Sequence, residues 1–106
     1  RTAQENEAFH FVRTLAQYRK SSTALTTGKT MQYIPKDGVY VYFRYDNRQT
    51  VMCVINTGDR EAQIDFSKFE ERTKWASGGK NVINGQTVGS HFSVGAKGVL
   101  VLELQP

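Results

Sequence analysis

The stretch Val39-Tyr40-Val41-Tyr42-Phe43-Arg44-Tyr45, followed after Asp46-Asn47-Arg48-Gln49 by Thr50-Val51-Met52-Cys53-Val54-Ile55-Asn56, decides the fold class. In the first segment Val39, Val41, Phe43 and Tyr45 alternate with Tyr40, Tyr42 and Arg44. That period of two belongs to a strand with one face in the core. The second segment is apolar on both faces, with Val51, Cys53 and Ile55 on one side and Met52 and Val54 on the other, which predicts a central strand. The four polar residues between the segments predict a hairpin loop.

The same pattern extends outward from this pair. Upstream, Thr30 to Ile34 reads as a short strand, and Pro35-Lys36-Asp37-Gly38 as a turn. Downstream, Thr57-Gly58-Asp59-Arg60 turns the chain into Glu61–Phe66, with Ala62, Ile64 and Phe66 facing inward. Ser67–Arg72 is expected to form a helical turn or an irregular connection, and Trp75 to begin a further strand. Asn84-Gly85, set between Val82-Ile83 and Thr87-Val88, is the strongest hairpin signal of the chain. His91–Val94, Gly95-Ala96-Lys97-Gly98 and Val99–Leu104 read as a final hairpin. Seven or eight short strands with turns every 8–12 residues predict a mainly β fold, an antiparallel two-sheet β-sandwich of the Greek-key type.

One amphipathic helix precedes this module. Ala8, Phe11, Val12, Leu15 and Ala16 form an apolar stripe, Glu5 and Glu7 lie early, and Arg19 and Lys20 lie late, as the helix dipole favours. Ser21 and Ser22 end the pattern, and Gly28 punctuates the connection. The stripe must pack on something, so either self-association through the helix or the helix folded back on its own sandwich is expected. A chain that begins at Arg1 with one helix feeding an all-β module is expected to be a piece of a larger protein. The division expected is residues 1–28, the terminal helix and connection, and residues 29–106, the sandwich.

Composition narrows the function classes. The chain has 106 residues with 39% apolar and 23% charged content, ordinary for a soluble globular domain. Its net charge is +4, yet residues 37–106 are balanced and the excess lies in residues 1–36. A nucleic-acid partner is therefore not expected, since phosphate-tracking surfaces concentrate basic charge. No apolar run approaches the roughly 20 residues that span a bilayer, and no membrane partner is expected. Cys53 is the single cysteine and reads as a small buried residue. His10 and His91 are far apart without ligand-spaced carboxylates, so neither a metal nor another cofactor is expected. Asp37, Asp46 and Asp59 read as turn formers. Gly78-Gly79 and the Gly95/Gly98 pair match no phosphate-binding loop, because no helix follows them.

The aromatic residues carry two readings. Tyr40, Tyr42, Phe43 and Tyr45 beside Arg44 and Arg48 have the composition of a stacking platform for sugar rings or bases. The alternation instead puts Phe43 and Tyr45 into the core and leaves Tyr40 and Tyr42 on the opposite face, beneath the helix or a neighbouring domain. Tyr40, Tyr42 and Trp75 are the candidate carbohydrate contacts under the first reading.

Several of these motifs in this order resemble one family. Phe11-Val12-Arg13-Thr14-Leu15 through Arg19-Lys20 and Ala24-Leu25-Thr26-Thr27-Gly28 resembles the end of the last barrel helix of alpha-amylase-family glycoside hydrolases, with the junction that leads into a C-terminal β-sandwich. The paired segments 37–45 and 50–56, Asn81-Val82-Ile83-Asn84-Gly85-Gln86 and the closing Gly98-Val99-Leu100-Val101-Leu102-Glu103-Leu104 resemble the strands that follow, most closely in the cyclomaltodextrinase and neopullulanase branch. The resemblance implies a bacterial parent enzyme, cytoplasmic or periplasmic, that hydrolyses α-1,4-glucosidic bonds with retention, using an aspartate nucleophile and a glutamate acid/base on a TIM barrel. No carboxylate of this sequence matches those motifs. The implied role is non-catalytic: the module packs on the barrel of the same parent chain and stabilises it, with Phe11, Val12, Leu15, Arg19 and Lys20 as interface candidates. The alternative is an accessory module that binds an α-glucan such as starch or a maltooligosaccharide; less favoured is a small nucleic-acid-binding barrel.

Overall fold

The computed structural model describes the backbone from Ala3 to Pro106 and the side chains from Val12 onward. Helix α1 spans Ala3–Ser21, and a short helix α2 (Thr23–Thr27) follows it directly. Ser22 separates them: its backbone is extended, and its Oγ caps α2 by accepting from Leu25 N at 3.3 Å. Eight strands come next. They are β1 (Lys29–Gln32), β2 (Val39–Tyr45), β3 (Thr50–Asn56), β4 (Ala62–Asp65), β5 (Gly78–Asn81), β6 (Thr87–Gly89), β7 (His91–Val94) and β8 (Val99–Gln105). A 3-10 turn (Phe66–Phe69) and helix α3 (Glu70–Thr73) connect β4 to β5.

Six strands form one antiparallel sheet in the order β1-β2-β3-β8-β5-β6, and β4 pairs with β7 in a second, smaller layer. The sandwich expected from the alternating segments is present, and β3 is central, flanked by β2 and β8. Its inner face contributes Met52 and Val54 to a core with Val41, Phe43, Leu102 and Leu104, closed from the other layer by Ile64, Phe66 and Val94. Burial on both faces of β3 explains its unbroken apolar run.

The large sheet carries a second cluster on its outer face. Val51, Cys53 and Val101 pack there with Ala24 of α2, and Leu15, Tyr18, Leu25 and Tyr42 close over them. The helical arm therefore lies on the sandwich. It does so through a narrower face than the stripe expected from the sequence: Leu15 and Tyr18 point to the sheet, whereas Val12 is 63% exposed and Ala16 is also exposed. Ala8 and Phe11 lie outside the residues whose side chains are described.

Three local expectations are corrected. Trp75 does not begin a strand; it lies in the turn after α3, and β5 starts at Gly78. Val82 and Ile83 belong to the loop of the Asn84-Gly85 hairpin and not to its arm. Asn81 N donates to the Gln86 carbonyl at 2.7 Å and closes the loop around Gly85, whose φ is +77°. Finally, β7 and β8 do not pair with each other, because β7 joins β4 in the small layer while β8 enters the large sheet between β3 and β5. The loop from Gly95 to Gly98 crosses between layers, since Phe92 and Val94 face the intersheet core beside Ile64.

The turn at Lys36–Val39 forms as its residues require. Lys36 and Val39 exchange both backbone hydrogen bonds, at 3.2 and 2.9 Å, around Asp37 (φ +53°) and Gly38 (φ +78°). Two left-handed residues match the strand twist of a two-residue hairpin, and aspartate and glycine tolerate that conformation best.

Candidate functional site

A connected set of polar side chains joins the helical arm to the sheet. Gln49, immediately before β3, presents Oε1 to Ala24 N at 3.1 Å and to the Ser22 hydroxyl. Its Nε2 donates to the Tyr18 hydroxyl and to Glu103 Oε1, both at 3.4 Å, and the Tyr18 hydroxyl donates to Glu103 Oε2 at 3.3 Å. Burial, with Glu103 next in effect, pushes the Tyr18 hydroxyl up to about 12. Beside this network Arg44 donates to the Ala24 carbonyl (3.2 Å), the Leu25 carbonyl (3.2 Å) and Thr30 Oγ1 (2.6 Å). A cation thus meets the carbonyl end of α2 with a forked donor.

Of these seam residues only Arg44 stood out in the sequence, as a neighbour of the tyrosines in a stacking platform and not as a tie to the helix. The signal that marks them is a polar side chain interrupting an apolar strand at a position facing the helix: Arg44 within Val39–Tyr45 and Glu103 within Val99–Leu104.

Register shows where the outer face is left open. Tyr42 pairs with Cys53 and Cys53 with Val101, the row beneath the helical arm. Two residues along, Tyr40 pairs with Ile55 and Ile55 with Val99. In this next row Tyr40 and Val99 are each 44% exposed and Ile55 is half-buried. Three apolar side chains across three strands lie uncovered beside the arm.

The candidate carbohydrate contacts do not share one surface. Tyr42 is half-buried in the second cluster, and burial, with Cys53 next, pushes its hydroxyl up to about 12. Tyr40 stands in the open row. Trp75, 48% exposed, precedes Ser77, whose amide bonds to the Gln105 carbonyl at 2.9 Å, whereas Tyr40 lies level with Val99 at the other end of β8. Six residues of strand separate those ends by roughly 20 Å. Of the barrel-interface candidates, Leu15 packs on the sandwich, Val12, Arg19 and Lys20 are exposed, and Phe11 lies outside the described side chains.

The remaining candidates have structural roles. Cys53 is 5% exposed, and burial raises its thiol. Asp46 Oδ1 accepts from Arg48 N (2.8 Å) and Gln49 N (2.9 Å), closing its own turn. Asp59 pairs instead with Lys97 at 3.3 Å. Among the described residues no group of three or more histidine, cysteine or carboxylate side chains is placed to hold a metal.

On the opposite side of the molecule the small layer covers only part of the large sheet, leaving a groove of about 1140 Å³ beside β1 and β2. Tyr33, Val39, Val41, Ile64 and Phe69 are among its lining residues. Tyr33 and Phe69 meet edge to face with centroids 4.9 Å apart.

Comparison with known proteins gives a consistent result. The family described as Cyclo-malto-dextrinase C-terminal domain matches residues 30–103. Among solved structures, AmyP in complex with maltose superposes with a TM-score of 0.77 at 14% identity, over 96% of this chain and 21% of that one. An Anoxybacillus alpha-amylase gives 0.73 at 18% identity, over 94% and 23%. The maltogenic alpha-amylase AmyB from Thermotoga neapolitana gives 0.68 at 25% identity, over 93% and 26%. The first two likenesses are of fold alone, and the chain spans about a quarter or less of each of these three proteins. With the family match covering most of its length, the chain belongs to the cyclo-malto-dextrinase C-terminal domain family and is a C-terminal β-sandwich domain of the alpha-amylase family.

Proposed function

We propose that this domain is a non-catalytic part of an alpha-amylase-type glycoside hydrolase acting on α-1,4-glucans or cyclodextrins, and that it packs on and stabilises the catalytic barrel of the same chain. The observation that carries the reading is the uncovered row Tyr40, Ile55 and Val99 next to the helical arm. Apolar side chains grouped across three strands mark a surface that another body covers. Val12, 63% exposed on α1, is a further apolar side chain available for such docking. The seam of Gln49, Glu103 and Arg44 fixes the arm to the sheet, so the arm and the open row present one rigid surface to the barrel.

The test uses the full-length enzyme. Deleting residues 30–106 is expected to lower both soluble yield and melting temperature, and an unchanged melting temperature rejects the scaffold role. A gentler variant separates docking from folding. Val99→Glu is expected to leave the 106-residue chain within about 0.5 kcal/mol of the parent sequence, because the site is exposed, yet to destabilise the full-length enzyme. If both tolerate it equally, the barrel does not cover this row.

A further inference from the structure

We propose that the free edge of β4 takes up an extended peptide segment as a third strand of the small layer, and that this segment alternates apolar with basic residues. This goes beyond the scaffold role and rests on main-chain groups far from the open row.

The register exposes the edge. Phe66 N donates to the Ser90 carbonyl at 2.9 Å, one residue beyond the paired positions Asp65 and His91. Bonded positions alternate along an antiparallel ladder, so Ala62 and Ile64 turn their main-chain groups toward β7, and Gln63 and Asp65 turn theirs the other way. The small layer has no strand on that side. The groove lies there instead, and every residue from Glu61 to Asp65 borders it. Its volume of about 1140 Å³ leaves room for a short extended segment beside β4, whose four residues run roughly 13 Å. Outward N–H and C=O groups on an uncovered edge are a template for another strand.

The side chains on the two faces of that edge select the segment. Toward the core the groove is bordered by the half-buried Tyr33, Val39 and Phe69, and by Ile34, which is 92% exposed. Alternate residues of a third strand cover this side, and apolar ones gain most by it. On the outer face the strand's neighbours are Glu61, Gln63 and Asp65, all exposed. Neither carboxylate forms a salt bridge among the described residues. Gln63 Nε2 donates to Glu61 Oε1 at 3.0 Å, and Lys68 and His91 stand near Asp65 without pairing with it. Lys36, Asp37 and Arg60 also border the groove but belong to its turns. A lysine or arginine set opposite Glu61 or Asp65 therefore makes a favourable cross-strand pair. A second copy pairing its own β4 about Gln63 would set Glu61 against Asp65, like charge against like, which is why the occupant is a basic segment and not a twin.

The experiment combines amide hydrogen exchange with NMR titration of the isotopically labelled 106-residue chain. The probes are two end-blocked hexapeptides, Lys-Val-Lys-Val-Lys-Val and Glu-Val-Glu-Val-Glu-Val, each to about 5 mM, which detects dissociation constants near 1 mM. The lysine peptide is expected to shift the amides of residues 33–39 and 61–66 saturably and to slow exchange at Gln63 and Asp65. The glutamate peptide is expected to bind about threefold more weakly or worse. Gln63→Pro deletes an outward N–H without breaking a β4–β7 bond and is expected to abolish binding. Glu61→Lys, at an exposed site, is expected to leave the fold intact and to narrow the preference between the peptides. Protection of Gln63 and Asp65 with that preference supports the proposal. Silence with both peptides overturns it, as do equal binding of the two by the parent sequence and shifts confined to Tyr40, Ile55 and Val99. Protection that grows with protein concentration in the absence of peptide also overturns it, because the edge then takes a second copy.

Discussion

Arg44 Nε donates to the Ala24 carbonyl oxygen at 3.2 Å, joining the end of β2 to the helix that precedes the sheet. The same guanidinium reaches the Leu25 carbonyl and Thr30 Oγ1, so one side chain satisfies two carbonyls at the end of α2 and ties β1 to β2. Arg44→Ala removes the side-chain donor from both carbonyls, leaving the Ala24 carbonyl only its bond from Gly28 N, and is expected to destabilise the chain by about 1–3 kcal/mol. Arg44→Lys keeps the charge but not the planar fork, and is expected to recover only part of that. Urea unfolding monitored by circular dichroism measures both. An Arg44→Ala midpoint equal to that of the parent sequence means the seam is held by the apolar cluster alone.

Gly28 marks how closely the arm approaches the sheet. A Cβ there would lie 2.6 Å from the Tyr45 carbonyl oxygen and 2.9 Å from Ala24 Cα, both backbone atoms that cannot swing away. Gly28→Ala is expected to cost about 1–3 kcal/mol as an overpacked contact, although its φ of −74° suits any residue. Gly95, with nothing within 4 Å of such a Cβ, is the control, and Gly95→Ala is expected to fall within about 0.5 kcal/mol of the parent sequence. Equal melting temperatures for the two variants would show that the arm can lift off the sheet at little cost.

The same close approach explains what the sequence concealed. Strands β2 and β3 were legible because side-chain alternation encodes which face is buried. Strand β5 is Gly78-Gly79-Lys80-Asn81, with no apolar side chain to alternate; it is a strand because glycine lets the backbone meet Val88 and Leu102. A close backbone approach leaves no periodic signal. The pairing of β7 was hidden for a different reason. The turn residues 95–98 announce a reversal but not which sheet the next strand joins, and that choice is made by Asn56, forty residues upstream in the chain. The open groove was equally hidden, since the relative widths of two layers depend on strand pairing and not on any single segment. The seam residues Gln49 and Glu103 meet only after three distant segments are assembled.

Two buried hydroxyls set an alkaline limit on stability. Tyr18 and Tyr42 are each pushed from 10.0 up to about 12, in both cases chiefly by burial. A folded-state value above the unfolded one favours the neutral hydroxyl in the native state. That contribution is complete below pH 10 and is lost as pH rises from 10 toward about 12. The melting temperature is therefore expected to fall steeply across that window. In the double variant Tyr18→Phe, Tyr42→Phe the fall is expected to be shallower, because neither ring can ionise. An unchanged alkaline slope in that variant places the sensitivity elsewhere.

Asn56 ends β3 and is 2% exposed. Its Nδ2 donates to the carbonyls of Arg60 (2.8 Å), Gly95 (3.1 Å) and Val94 (3.2 Å), and its Oδ1 accepts from Gly58 N at 3.0 Å. One amide therefore closes the turn after β3 and anchors the crossing from β7 toward β8. Asn56→Ala removes the donor from all three carbonyls, of which Gly95's keeps a bond from Gly98 N, and is expected to cost roughly 1–3 kcal/mol. Asn56→Asp is the sharper test, because its carboxylate keeps the acceptor but turns an oxygen toward three carbonyls. Burial and those carbonyls must raise the substituted carboxyl above its unfolded value, so the deficit is greatest at neutral pH and shrinks as acid restores a donating O–H. Unfolding of this variant is expected to require more denaturant at about pH 4.5 than at pH 7, relative to the parent sequence at each pH. A deficit that is constant with pH would mean that water, not the three carbonyls, meets the new oxygen, and that the crossing is held by the β4–β7 ladder instead.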